Sequence, residues 1–145
     1  MLTNQSARVS FHFLERISLD RRTELKAFLP LLFKKEGRKL ESLSYVFCSD
    51  NYLLSINNQY LKHNYYTDIV TFDLSENTRT ITGEIYISTD RVRDNAQNFN
   101  ATFKQELHRV IFHGALHLCG YRDKTSKEEL LMRKREDKYL SLYFK

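Results

Sequence analysis

The sequence predicts a small α+β fold: a mixed sheet of about four strands packed with about five helices. Three observations carry this. Four short runs are rich in β-branched and aromatic residues. Stretches with helical periodicity separate or follow them. No repeat, low-complexity tract or Pro/Gly-rich linker interrupts the 145 residues, so 1–145 reads as one domain.

"RVSFHFLE" alternates and reads as the first strand. "RRTELKAFLPLLFKKEG" has a helical pattern, with Pro30 a kink or a helix start and Gly37 its end. "SLSYVFCS" is a second strand, and Asp50 is placed to cap a helix through "NYLLSINNQYL". "DIVTFDL" and "TITGEIYIS" are two more strands. The polar link "SENTR" suits a turn, which predicts an antiparallel pair. Thr89 or Asp90 then caps a short helix, "RVRDNAQNF". Leu107, Val110, Ile111, Ala115, Leu116 and Leu118 make "TFKQELHRVIFHGALHLCG" a largely buried helix that Gly120 ends. Thr125 or Ser126, with Glu128 or Glu129 three residues on, is a capping box for a last helix.

Charged residues make up 28% and hydrophobic ones 41%, the balance of a soluble globular chain. No apolar run is long enough to span a bilayer, which predicts no membrane partner. "MLTNQSARVSFHF" lacks the basic and apolar regions of a secretory signal. Cys48 and Cys119 are no disulfide framework, and a reducing cytoplasm suits them. A net charge of +5 is compatible with RNA without specifying it. Arg21, Arg22, Lys26, Lys34, Lys35, Arg38 and Lys39 form the better basic patch, whereas "KREDK" reads as a solvated helix face.

The chemistry concentrates in "HGALHLCGYRD". His113 and His117 are four apart, so on a helix their imidazoles converge on one point. Gly120 then reverses the chain and can swing Asp123 toward the same face as a third, carboxylate ligand. Cys119 is the rival ligand, although its helical position points it elsewhere, and His108 lies off the line. In a zinc protease the residue after the first histidine is a glutamate general base. Here it is Gly114, which argues against a peptidase and for a close approach of backbone or substrate, or for tight packing.

The block His-Gly-x-Leu-His-Leu-x-Gly-Tyr resembles the YbeY family of metal-dependent endoribonucleases. "INNQYLKHNYYTDIVTFDL" and "TGEIYIS" resemble two further family segments in the same order, so the resemblance runs from about the second strand to the last helix. It implies one Zn²⁺ per chain, with His113 and His117 as the first two ligands. It also implies cleavage of single-stranded RNA, maturation of the 16S rRNA 3′ end and ribosome quality control, with the small subunit as partner. Two departures stand out. The family's third ligand is commonly histidine, where this chain has Asp123. That lowers the site's charge by one unit and predicts a higher pKa for bound water and greater tolerance of manganese. The family often has an arginine where this chain has Leu61, so Lys62, His63 or Arg122 is expected to stabilise phosphate charge. Glu84 or His108 is a further candidate for proton transfer, and Tyr65 and Tyr66 for base stacking. A different class remains open: a ribosome-binding assembly factor whose metal is structural.

Overall fold

The computed structural model describes residues 7–62 and 66–145. Their order is β1 (Arg8–Phe13), α1 (Arg22–Lys35), β2 (Leu40–Cys48), α2 (Asp50–Leu61), β3 (Ile69–Asp73), β4 (Ile81–Ser88), α3 (Thr89–Asn98), α4 (Phe103–Leu118) and α5 (Ser126–Tyr143). The strands form one mixed sheet in the order β1-β2-β4-β3. β1, β2 and β4 run parallel, and β3 pairs antiparallel with β4, as the short polar link between them predicts.

Alternation along the strands sorts side chains onto two faces. Leu43, Tyr45, Phe47, Ile85 and Ile87 are fully buried in the main core with Leu107, Ile111 and Phe112 of α4. The Tyr45 hydroxyl donates to the Ile111 carbonyl at 2.8 Å and ties sheet to helix. The opposite face carries a smaller core in which Leu53 and Ile56 of α2 cover Val70.

Two predicted caps move by one or two residues. Ser49, not Asp50, caps α2 by accepting from the Tyr52 amide. Ser88, not Thr89 or Asp90, caps α3 by accepting from the Arg91 amide. The aspartates are used between the helices: Asp90 accepts from the Asp50 amide at 2.8 Å, and Asp50 pairs with Arg91 at 3.3 Å. Pro30 lies inside α1, which continues through it. Thr125 and Glu128 form the predicted capping box of α5, and Thr102 with Gln105 forms another at α4.

α4 is therefore anchored at its N-terminus and buried against the sheet along its length. Gly120 at φ 109° follows it, a backbone conformation suited to glycine. The chain turns there and α5 returns antiparallel across α4. That turn and that return position the histidines' neighbours.

Candidate metal centre

Gly114 explains how α4 sits so close to the sheet. A Cβ there would stand 2.9 Å from both Ile69 Cδ1 and Ile85 Cδ1. The glycine thus serves packing, and position 114 faces isoleucines rather than the histidine pair. Gly114→Glu would press a carboxylate into this apolar contact. It should lower unfolding free energy by about 3 kcal/mol or more in urea titration and create no peptidase activity.

His113 and His117 lie one turn apart on α4, ring centroids 4.6 Å apart. Asp123 comes from the turn before α5. Its Oδ2 lies 3.2 Å from His113 Nε2 and 3.4 Å from His117 Nε2. Ligand atoms around a tetrahedral zinc with bonds of roughly 2.0–2.1 Å are separated by about 3.3 Å. The three residues fit one ion, and they are the only group of three such side chains among the described residues that does.

The outer ring nitrogens settle how the imidazoles point. His117 Nδ1 lies 2.9 Å from the Tyr121 carbonyl, which can only accept. His117 therefore carries its proton on Nδ1 and leaves the Nε2 lone pair toward Asp123. His113 Nδ1 lies 2.6 Å from Glu136 Oε2. Glu136 also accepts from Arg109 at 2.9 Å, and Arg109 reaches Asp137 at 2.8 Å. This is the carboxylate–histidine arrangement that orients metal ligands and raises their basicity. Burial disfavours charge on both rings. At His113 the hydrogen bond and charge of Glu136, helped by Asp123 and Asp68, outweigh burial and raise the pKa. At His117 burial and the neighbouring His113 prevail and lower it.

Tyr121 is itself held from outside. Its hydroxyl donates to Glu36 at 2.6 Å, and the Tyr139 hydroxyl donates to the same carboxylate. Arg38 donates to the Cys119 carbonyl at 3.1 Å. One end of α1 thus secures the turn that carries Asp123.

The other sequence candidates sort clearly. Cys119 is the C-cap of α4, outside the three-ligand group, with a thiol that burial pushes up to about 12. His108 is buried beside Tyr143 and Phe144, with Nδ1 2.8 Å from the Lys104 carbonyl, and takes no part in the centre. Glu84 alternates with Gly83 and Ile85, which face α4, so it lies on the opposite face, where it accepts from Tyr86 at 2.6 Å. Neither His108 nor Glu84 is placed for proton transfer at the centre. Arg122 is exposed beside Asp123, and Lys62 is exposed at the end of α2. His63 and Tyr65 lie outside the described residues. In the basic patch, Arg21 pairs with Glu24, Arg22 and Lys26 lie over Phe13 and Phe11, and Arg38 serves the turn.

Sequence reasoning missed Glu136, Arg109, Asp68, Glu106 and Lys124. Glu136 sits in "KREDK", read as solvated, yet is 5% exposed. Its signal was a lone acid on the face of α5 that also carries Met132 and Tyr139, at i−4 and i+3. Two clefts reach the centre. One of about 530 Å³ lies beside His117, between α2 and β3, and is lined by Asn57, Thr71 and Lys124. The other, about 310 Å³, is lined by His113 and Asp123 together with Asp68 and Glu106. No helix among the described residues is long and apolar enough to cross a membrane.

Comparisons with known proteins agree with the motif. A family model described as Endoribonuclease YbeY matches residues 12–143, so the likeness reaches back into β1. A protein named Endoribonuclease YbeY from Cytophaga hutchinsonii is 54% identical over 124 residues, 86% of this chain and 87% of its own length. One of the same name from Flavobacterium psychrophilum is 43% identical over 135 residues, 93% of this chain and 96% of its own. The solution structure of a Thermotoga maritima protein superposes with a TM-score of 0.63 at 31% identity, over 95% of this chain and 89% of that one. The chain belongs to the YbeY family of endoribonucleases.

Proposed function

We propose that the chain is a zinc-dependent endoribonuclease that cuts single-stranded RNA, with 16S rRNA 3′-end maturation on the small subunit as its cytoplasmic task. The observation that carries the reading is the convergence of His113, His117 and Asp123 at tetrahedral spacing, with both histidines oriented by partners on their outer nitrogens. A divalent ion held there supplies a Lewis acid for a phosphodiester and lowers the pKa of water.

The chain's own groups do the rest. His113 and His117 present neutral Nε2 atoms, and Asp123 supplies the negative charge. Glu136 and the Tyr121 carbonyl keep the rings from turning. Lys124 lines the cleft that reaches His117, and Arg122 adjoins Asp123, which supports both as groups that meet phosphate; Lys62 and His63 are the other cations proposed for that role. Tyr66, 52% exposed with Arg91 6.0 Å from its ring centre, is a stacking platform for an unpaired base. The assembly-factor reading, with a structural metal, requires a closed centre. Three candidate ligands beside two clefts support an open one instead.

Asp123→Ala tests the ligand set. Elemental mass spectrometry should find about one zinc per wild-type chain and little in the variant, and cleavage of a single-stranded RNA should fall with it. Full metal retention in the variant would move the third ligand elsewhere.

A further inference from the structure

Glu106 has no role in holding the metal, and its surroundings are unusual. It is 6% exposed, yet among the described residues its carboxylate accepts no hydrogen bond and has no cation within 4.0 Å. Burial raises its pKa, with Arg109 and Arg133 opposing. Its oxygens are not sealed in the core; they open onto a cavity and can accept donors that enter it. Glu106 lines the 310 Å³ cavity whose other wall holds His113 and Asp123. The same cavity is lined by Asp68, which accepts from the Asn95 amide at 3.4 Å. At the rim, Phe99 is 57% exposed, and Arg133 lies 5.9 Å from its ring centre.

Resting on the ribonuclease reading, we propose that this cavity is a nucleobase pocket. It would seat the base next to the scissile phosphate, with Glu106 reading adjacent N–H donors, guanine best and uracil worst. The cavity is at the small end of ligand sites, which span about 300–1,000 Å³, so it takes one base rather than a peptide. Its carboxylates repel phosphate and call for the N–H-rich part of RNA, while Arg133 at the rim offers charge to the backbone. A second metal is disfavoured, because Glu106 belongs to no group of three ligating side chains. Guanine presents N1–H and N2–H side by side to a carboxylate. Uracil places a carbonyl on each side of its single N–H, and both repel it. Phe99 supplies the stacking face.

The test uses zinc-loaded wild type, Glu106→Gln and Phe99→Ala on a 12-nucleotide single-stranded RNA pool with randomised positions, sequencing the cut ends. Wild type should show, at one position beside the cut, uridine depleted roughly 5-fold or more relative to guanosine, the low end for a good side-chain–base pair. Glu106→Gln should flatten that ratio. Phe99→Ala, at an exposed ring, should raise KM while keeping the ratio. An unbiased wild type, or a bias unchanged in Glu106→Gln, overturns the pocket while leaving the ribonuclease standing. If zinc-loaded wild type cuts nothing, the ribonuclease reading fails and the pocket is judged by NMR titration. Shifts at Asn95, Phe99 and Glu106 with GMP but not UMP keep it, and equal or absent shifts overturn it.

Discussion

His117→Ala should strip the metal and abolish cleavage of single-stranded RNA while the far-UV circular dichroism stays that of the wild type. Loss of a group that only orients a ligand typically reduces metal affinity or activity about 10–100-fold. Loss of one ligand from a set of three must exceed that, because the remaining pair, His113 and Asp123, no longer surrounds an ion. The fold should survive because His117 is half-buried at the edge of a cleft, and its hydrogen bond to the Tyr121 carbonyl is worth about 1 kcal/mol. α4 keeps its Thr102 capping box and its buried leucines. Full cleavage by a metal-free variant would sink the metallonuclease assignment.

Glu136 carries the second large effect, and two substitutions separate its roles. Glu136→Gln keeps the shape and one accepting oxygen for His113 but removes the charge that makes the imidazole a better donor to metal. Zinc affinity, read by competition with a chromophoric chelator, should fall about 10–100-fold with little change in stability. Glu136→Ala also leaves Arg109 and His113 facing a void. Urea unfolding of the metal-free protein should show a loss of about 3 kcal/mol, the low end for breaking a buried pair, since Arg109 retains Asp137 at 2.8 Å. Unchanged zinc affinity in the glutamine variant would show that Glu136 only packs.

The divide between what the sequence shows and what it hides follows the range of the interactions. The strands, the antiparallel β3–β4 pair, the Thr125 capping box and the turn at Gly120 rest on neighbouring residues, and the structure contains them all. His113, His117 and Asp123 span one helical turn and one reversal, so their meeting was also legible. The caps at Ser49 and Ser88 were not, because each serine is followed within two residues by an aspartate that caps equally well. The contact between Asp50 and Asp90, 40 residues apart, decides that choice. Glu136 was hidden for the same reason. Alternating charges in "KREDK" look solvated until α5 is laid across α4, and only then does one acid point at a histidine 23 residues earlier. The side of the sheet to which Glu84 belongs likewise depends on which helix covers which face.

The turn carrying Asp123 joins the two helices that the candidate centre unites: α4 supplies two candidate ligands, the turn a third, and α5 the brace on His113. An ion bound there staples the C-terminal hairpin shut. Such a ligand stabilises the folded chain by RT ln(1 + [M]/Kd), about 4 kcal/mol at a thousandfold excess over Kd. Without such an ion that reserve disappears. The hairpin then opens more often and proteases gain access to the segment between the helices. Metal supply would set the lifetime of the protein as well as its turnover.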